Sequence, residues 1–391
     1  MPVLHLLMAA AGFAVLSIAA GYSMVALTAR LVWQRHKPAA ARQPLPPVTL
    51  LKPLCGAEPG LYEHLRGFCV QDYPQYQIIF GVRDAADPAC EVVRRLVAEF
   101  PELAIDVVID PRQHGTNLKI SNLINMLRVA RHDYLVMADS DAFVATDYLA
   151  IVTTPLLDPA VGLVTCAYRG VPTASVWSRL GAMYINEWYV PSVLLAWLFG
   201  YEGYVSGQTL CLRQDTLRAI GGFRTIVNHL ADDHRLGELV HGLGLRIVLS
   251  PYPVEAEHHE QSYEALTRHE MRWMRTIRIL RPWSFAFIFL TFSLPLATAG
   301  LLLAAAGGRQ SELTAVLFAI TALVRVAFYV APRRGTLSRL LGDLWLLPIR
   351  DLLICWIWFR SFFTSRVVWR GTEFDVGADG LMRQLTSSRS R

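Results

Sequence analysis

The chain has 391 residues, 53% of them hydrophobic and only 18% charged, with a net charge of +5 and a mean hydropathy of +0.33. So apolar a composition excludes an ordinary soluble domain and points to membrane segments. The modest positive charge comes without an aromatic-interleaved basic stripe, so no nucleic-acid partner is expected, and the six scattered cysteines, with neither a C-x-x-C pair nor zinc-spaced histidines, argue for a reducing compartment and against a structural metal.

The first predicted element is Val3 to Ala29, which carries no Asp, Glu, Lys or Arg over more than the ~20 residues a spanning helix needs. Residues 1–30 are therefore read as a transmembrane anchor. A secretory signal peptide fits less well, because the run is too long and its basic residues, Arg30, Arg35, Lys37 and Arg42, follow it. The same cluster places the chain beyond it in the cytoplasm. After a Pro-rich hinge, Arg42 to Pro47, apolar strand-like runs alternate with amphipathic helical stretches: "VTLLKPL", "YQIIFGV", "IDVVID", "YLVMA", "VGLVTCAY" and "LRIVLS", with "PACEVVRRLVAEF" and "NLKISNLINMLRVA" among the helices. That alternation predicts βαβ units in an α/β domain with a largely parallel sheet, a nucleotide-binding type of architecture over residues 48–265.

Residues 266–282 read as an interfacial helix and 283–365 as a second membrane region. Trp283 to Ala306 and Leu313 to Ala331 are two spans in a hairpin. Leu344 to Phe363 is interrupted by Pro348 and the adjacent Arg350 and Asp351. If it spanned, the tail 366–391, with Arg366, Arg370, Arg383, Arg389 and Arg391, would lie outside, against the positive-inside rule. A re-entrant or interfacial segment followed by a basic cytosolic tail is preferred; a tilted helix in which Arg350 pairs with Asp351 is the alternative.

Chemistry-bearing residues gather in the middle region. In "DYLVMADSDAF", an apolar run ends in Asp139 and Asp141, two apart and so on one side of an extended chain, where both can grip a hard divalent cation such as Mg²⁺. Asp84, in "FGVRDAADPA", follows a strand and can meet a nucleobase or ribose, or simply cap a turn. Lys119, in "GTNLKISNL" with Asn117 and Asn122, opens a helix where a diphosphate would bind. Asp232 and Asp233, in "HLADDHRLG", raise one another's pKa as a general base requires, and suit a helix start equally. Within "HEMRWMRTIR", Arg272 offers a fork of donors and Trp273 an aromatic face, features that also suit a membrane-surface helix.

Taken in order, "GVRD", "NLKISNL", "ADSD", "GQTLCLRQDTLRAIGGF", "LADD" and "HEMRW" resemble the family 2 and, more closely, the family 21 glycosyltransferases, which include the ceramide glucosyltransferases. The resemblance implies a glycosyltransferase A-type (Rossmann-like) fold, with Asp84 on the nucleotide and Asp139 on the metal-diphosphate. It makes Asp233 the catalytic base and has Arg272 and Trp273 close over substrate. Asp141 departs from the ceramide pattern, and His269 stands where Gln or Arg is usual. The His-Glu-hydrophobic-Arg-Trp version, with "SNLINML" and "INEWY", is similar to bacterial glycosyltransferases associated with hopanoid biosynthesis. The implied reaction is an inverting transfer from a UDP-sugar, with Mg²⁺ or Mn²⁺, to a lipid hydroxyl at the bacterial inner membrane. N-acetylglucosamine onto a hopanoid polyol such as bacteriohopanetetrol is expected first, and glucose onto ceramide second. Rival expectations are a polysaccharide synthase, disfavoured by the short membrane portion, and a transporter built on Arg325, Arg350 and Asp351.

Overall fold

A computed structural model describes residues 2–38, 44–308, 311–331, 341–363, 366–369 and 372–385. Part of the expected hinge, and Arg370, Arg389 and Arg391 of the expected tail, lie outside them. The chain divides into a helical unit, Met1–Arg35, Pro172–Gly200 and Glu260–Ser365, and a sheet unit, His36–Val171, Tyr201–His259 and Arg366–Arg391. The expected continuous 48–265 domain is therefore interrupted: residues 172–200 belong with the helices.

In the sheet unit the strands are β1 (Val48–Pro53), β2 (Tyr76–Val82), β3 (Ala104–Ile109), β4 (Tyr134–Met137), β5 (Ala142–Phe143), β6 (Val161–Pro172), β7 (Leu210–Arg213) and β8 (Arg246–His258). They lie in the order β3-β2-β1-β4-β7-β6-β8-β5, with β3, β2, β1 and β4 parallel and β7 antiparallel to both β4 and β6. Strands β1, β2 and β4 carry continuous apolar runs because both their faces are covered, whereas β3, at the sheet edge, leaves Val107 and Ile109 exposed. Leu50, Ile78, Phe80 and Val136 enter a core with Leu65, Phe68, Val93 and Leu96, whereas Leu51, Ile79, Leu135 and Met137 enter another with Ile120, Leu123, Leu236 and Val240. Neighbours along each strand thus feed opposite layers, as the period of two requires. Two helices of the second layer, Leu118–Met126 and Asp232–Gly242, are the ones whose first turns bear Lys119 and the Asp232–Asp233 pair.

Close approach in that layer demands small residues. A Cβ on Gly81 of β2 would meet Met126 Sδ at 2.3 Å and Asn122 Oδ1 at 2.5 Å. Asn122 is buried and donates to the Gly81 carbonyl at 2.7 Å, and Asn117 caps its helix by accepting from Ile120 N at 3.0 Å. Both asparagines therefore build the helix that presents Lys119.

Beyond the helical unit, β9 (Arg366–Trp369), β10 (Thr372–Val376) and β11 (Met382–Gln384) form a separate antiparallel sheet, β11-β10-β9, where only a basic tail was expected. Among its described side chains, Phe374, Val376 and Met382 are buried. Spacing of two between the first pair is a strand signal, overshadowed in the sequence by the surrounding arginines.

Among the described residues, two helices of the helical unit are long and apolar enough to cross a membrane, Pro2–Arg35 and Glu312–Val330, with mean hydropathies of 2.2 and 2.1 over their most apolar stretches. The first buries a stripe of mostly small residues, including Ala9, Gly12, Ala19, Ser23 and Ala26, while Leu4, Leu7, Phe13 and Ile18 are exposed. Its small face meets helix Ser293–Ala306 backbone to backbone. A Cβ on Gly12 would stand 2.4 Å from Ala304 N, and one on Gly300 would stand 2.9 Å from Gly12 O. The expected single stretch Trp283 to Ala306 is instead a short helix, a 3-10 turn and that 14-residue helix.

The expected interruption at Pro348 is absent, because Pro348 falls in the first turn of a continuous helix, Leu346–Ser361, where a missing N–H costs nothing. Nor do Arg350 and Asp351 pair with each other. Arg350 makes a two-fold contact with Glu270, at 2.6 and 2.8 Å, and donates to the Leu180 carbonyl at 3.2 Å. Asp351 accepts from Arg325, which also reaches Glu187 at 2.7 Å. Adjacent helical positions point about 100° apart, so the two residues serve different neighbours. Glu187 lies in the segment 172–200, and this buried pair ties that segment to the helical unit.

Glu270 and Arg350 are 1% and 2% exposed. Removing one partner of such a pair strands a buried charge, which typically costs about 3–5 kcal/mol, whereas replacing both with apolar residues is often neutral. Arg350→Met is accordingly expected to lower the melting temperature in detergent strongly, and the double change Arg350→Met/Glu270→Leu to recover most of the loss; equal melting of single and double variants would contradict this account.

Candidate active site

Because β2, β1 and β4 run parallel, their carboxyl ends share one edge of the sheet, the edge at which open α/β sheets bind ligands. Asp84 follows β2, Lys52 lies near the end of β1, and Asp139 follows β4. Onto this edge the first turns of helices Leu118–Met126 and Asp232–Gly242 bring Lys119, Asp232 and Asp233.

The centre of the cluster is Gly207. A Cβ there would stand 3.4 Å from Lys119 Nζ and 3.6 Å from both Asp139 Oδ2 and Asp233 Oδ2, so three charged groups from distant parts of the chain converge on one side-chain-free position. Lys119 Nζ contacts Asp139 Oδ1 at 2.5 Å. Asp233 Oδ2 accepts from Gly207 N at 2.9 Å and its Oδ1 from His234 N at 2.7 Å. On the other side of Asp139, Lys52 donates to its backbone carbonyl and lies over the Phe68 ring at 3.8 Å. Asp141 accepts from Gln208 Nε2 at 3.4 Å. Asp84 is exposed, and its Oδ1 accepts from Ala86 N at 2.9 Å, the turn contact.

Burial and crowding of like charge shape the titration. Burial, Asp139 and Glu58 push Asp141 up to about 6. Burial raises Asp232 to about 6 against the pull of Lys119, with Asp233 adding repulsion. Asp233 is raised by burial too, though its two backbone N–H bonds and Lys119 hold it down. Burial depresses Lys119, but Asp139 and Asp232 more than compensate and lift it above the usual lysine range. Lys52, by contrast, is brought down to about 7 by complete burial, with Asp139 and Asp141 opposing. Carboxylates here outnumber the cations that neutralise them.

That imbalance suits a divalent ion. Gln208 Oε1 and Asp232 Oδ2 are buried without a hydrogen-bond partner among the described residues, and both are hard oxygen donors beside Asp141 or Asp233. No cluster of three or more His, Cys, Asp or Glu among the described residues is arranged to hold a metal ion. The chain thus offers a few oxygens to a cation whose remaining ligands would be water and phosphate, as Mg²⁺ and Mn²⁺ prefer.

Arg272 and Trp273 lie on helix Tyr263–Leu280 of the helical unit. Trp273 stacks on Tyr184, with ring centroids 5.4 Å apart and planes 20° apart, and stands 4.1 Å from the His269 ring. His269 Nδ1 in turn contacts Glu260 at 2.8 Å, a structural pairing for the residue that departs from the usual motif.

A model of glycosyl transferase family 21 matches residues 11–382. The chain belongs to that family. Relatives of this family 21 protein include ceramide glucosyltransferase 1 of Caenorhabditis elegans, 24% identical over 226 residues, 57% of this chain and 48% of the relative. Ceramide glucosyltransferase 3 of the same organism is 24% identical over 235 residues, 59% of this chain and 50% of the relative. The chain thus matches about half the length of these curated relatives. Among solved structures, a mannosyltransferase from Pyrobaculum calidifontis in complex with GDP-Man and Mn²⁺ superposes with a TM-score of 0.54 at 23% identity, covering 88% of this chain and 99% of that one. The mixed α/β fold expected of a glycosyltransferase A-type domain is therefore shared with a glycosyltransferase.

Sequence reasoning passed over Lys52, Gln208 and Gly207. A lysine inside an apolar strand reads as a strand residue, and a glycine that makes room for charges leaves no mark in composition; the run "GQTL" before β7 was the available signal. In this family 21 protein Asp141 and Asp232, both raised to about 6, take up protons as the pH falls through that value, which removes negative charge from the cluster. Activity is expected to drop below about pH 6, with more than one proton bound across the limb because Asp141 and Asp232 both titrate there; a flat kcat/KM between pH 7.5 and 5 would show that neither group must be ionised.

Proposed function

We propose that this protein transfers a hexose from a UDP-sugar to the hydroxyl of a membrane lipid, inverting the anomeric centre in one displacement. The observation that carries the reading is the convergence of Lys119, Asp139 and Asp233 on Gly207 at the carboxyl edge of a parallel sheet, in a chain of family 21. Asp233 is assigned as the base that takes the acceptor proton. Its two backbone N–H bonds hold the carboxylate in place, and its raised pKa makes it a better proton acceptor than a free aspartate. Lys119, cationic at neutral pH, is assigned to the diphosphate. Asp84 is assigned to the nucleoside, Arg272 to phosphate and Trp273 to the sugar or lipid, by the chemistry of their side chains. Asp139 and Asp141 would hold Mg²⁺ or Mn²⁺, which supplies neutralisation of charge on the leaving diphosphate.

The names of the relatives support glucose and ceramide, while the His-Glu-Met-Arg-Trp stretch, 269–273, favours N-acetylglucosamine and a hopanoid polyol. Release of UDP from the purified protein in detergent, with UDP-glucose and UDP-N-acetylglucosamine each offered ceramide and bacteriohopanetetrol, separates them. One donor and acceptor pair is expected to turn over, and Asp233→Asn to lower kcat by about 10²–10⁴-fold while UDP binding stays within about twofold. Full turnover by Asp233→Asn would remove that residue from the mechanism, and acceptor-independent release for every pair would remove the lipid.

The reading places the protein in a membrane, the bacterial inner membrane by the motif resemblance, with the sheet unit in the cytoplasm as the basic residues after the first helix imply. Chain topology supplies a further constraint. Residues 380–382 hydrogen-bond to residues 228–230 of the sheet unit, so both lie on one side and the chain between Glu260 and Ser365 crosses an even number of times. We assign the crossings to Ser293–Ala306, with the segment before it, and Glu312–Val330, and leave Leu346–Ser361 uncrossed. In a cysteine-free background within sealed vesicles, Glu91→Cys and Asp379→Cys should react with an impermeant maleimide from one side and Glu312→Cys from the other; labelling of all three from one side would discard the hairpin.

A further inference from the structure

We propose that β11 is a positioning element for the catalytic pair: it fixes the segment that leads into Asp232 and Asp233. β11 is an edge strand, bonded to β10 through one side only, and exposed strand edges are ordinarily covered. Here the cover is the segment 228–230. Leu230 N donates to Gly380 O at 3.0 Å, Met382 N donates to Asn228 O at 2.9 Å, and His229 forms an antiparallel bridge with Leu381.

The opposite side of the same segment is held by the start of the Lys119 helix. Asn117 N donates to Val227 O at 2.8 Å, Asn117 Nδ2 to His229 O at 3.0 Å, and Thr116 N to Asn228 Oδ1 at 3.0 Å. The approach is close enough that a Cβ on Gly115 would meet Asn228 Oδ1 at 2.5 Å and Val227 O at 2.8 Å. Residues 227–230 are thus bonded on both sides, by the loop that presents Lys119 and by Gly380, Leu381 and Met382, the turn into β11 and its first residue. Their next covalent neighbours are Ala231, Asp232 and Asp233.

The clamp is built to be rigid. Gly380, with φ of +77°, closes a tight turn in which Gly380 N donates to Gly377 O and Gly377 N to Leu381 O. Leu381 N donates to Asp379 Oδ1 at 3.1 Å. Buried Phe374, Val376 and Met382 pack the little sheet from within. Spacing between Lys119 and Asp233 is consequently set by three layers of backbone, of which β11 is the outermost. A displacement of 1 Å at a catalytic group can cost about 10²-fold in rate.

The proposal rests on the assignment of Asp233 as the base, and two readouts keep the two apart. Met382→Pro deletes the N–H that donates to Asn228. Gln384→Pro serves as the control: Leu385 N bonds to β10, at Glu373 O, so the alternating N–H of Gln384 faces away from β10 and is not bonded to the segment. With the donor and acceptor pair that turns over, Met382→Pro should lower kcat at least tenfold with donor KM within about twofold, and Gln384→Pro should match wild type. Hydrogen exchange supplies the activity-free arm. In the wild-type protein the Leu230 amide should exchange as slowly as that of Met382, and Met382→Pro should accelerate exchange at Leu230 at least tenfold. Free exchange at Leu230 beside a protected β11 in the wild type, or equal kcat and equal exchange in the two proline variants, would overturn the clamp. If no lipid turns over at all, the functional assignment fails while exchange still decides the clamp.

Discussion

The sheet unit depends on the placement of one ammonium group among several carboxylates. Asp139, Asp232 and Asp233 would repel one another at the edge of the sheet, and Lys119 lies where all of them act on it. A lysine can do this because its charge is compact and its stem is long enough to reach from a helix start to the end of β4. Two features of the backbone make the arrangement possible. Gly207 leaves the shared space free of a side chain, and Asn117 and Asn122 hold the lysine-bearing helix against β2. Negative charge still exceeds positive, which leaves the cluster able to favour a cation.

A different solution to the same problem of buried charge operates in the helical unit. Arg325 with Glu187 and Asp351, and Arg350 with Glu270, are closed pairs in which each guanidinium is matched by carboxylates at hydrogen-bond distance. Closed pairs of this kind connect helices. The small-residue face between Pro2–Arg35 and Ser293–Ala306 completes the packing by van der Waals contact, the form of cohesion available where the surroundings are themselves apolar.

The Arg-Trp helix belongs to this second kind of environment. Trp273 is held between Tyr184 and His269, and Glu270, the residue beside His269, is locked to Arg350. The motif is thus presented by a helix whose orientation is set by a buried ion pair from Leu346–Ser361. Short recognition motifs give no hint of such anchors, because the anchoring residue lies 80 positions away in the chain.

Much of the protein was legible in the sequence. The central strands β1, β2 and β4 follow from apolar runs because both their faces are covered, β3, β6 and β8 follow from shorter apolar runs within their length, and helix starts at Asn117 and Asp232 follow from their residue types. Asp139, Asp141, Lys119 and the Asp232–Asp233 pair could be picked out because carboxylates at strand ends and charges at helix starts have local reasons to be there. The tertiary structure alone decided which of them meet. Lys52 and Gly207 join the site through strand order, Arg350 and Asp351 part because adjacent helical positions diverge, and β9, β10 and β11 become a sheet because they pair with one another and the sheet's edge finds residues 228–230. Local periodicity is written into neighbouring residues, whereas a partner far along the chain is chosen only when the whole backbone has been folded and its remaining N–H and C=O groups must be satisfied.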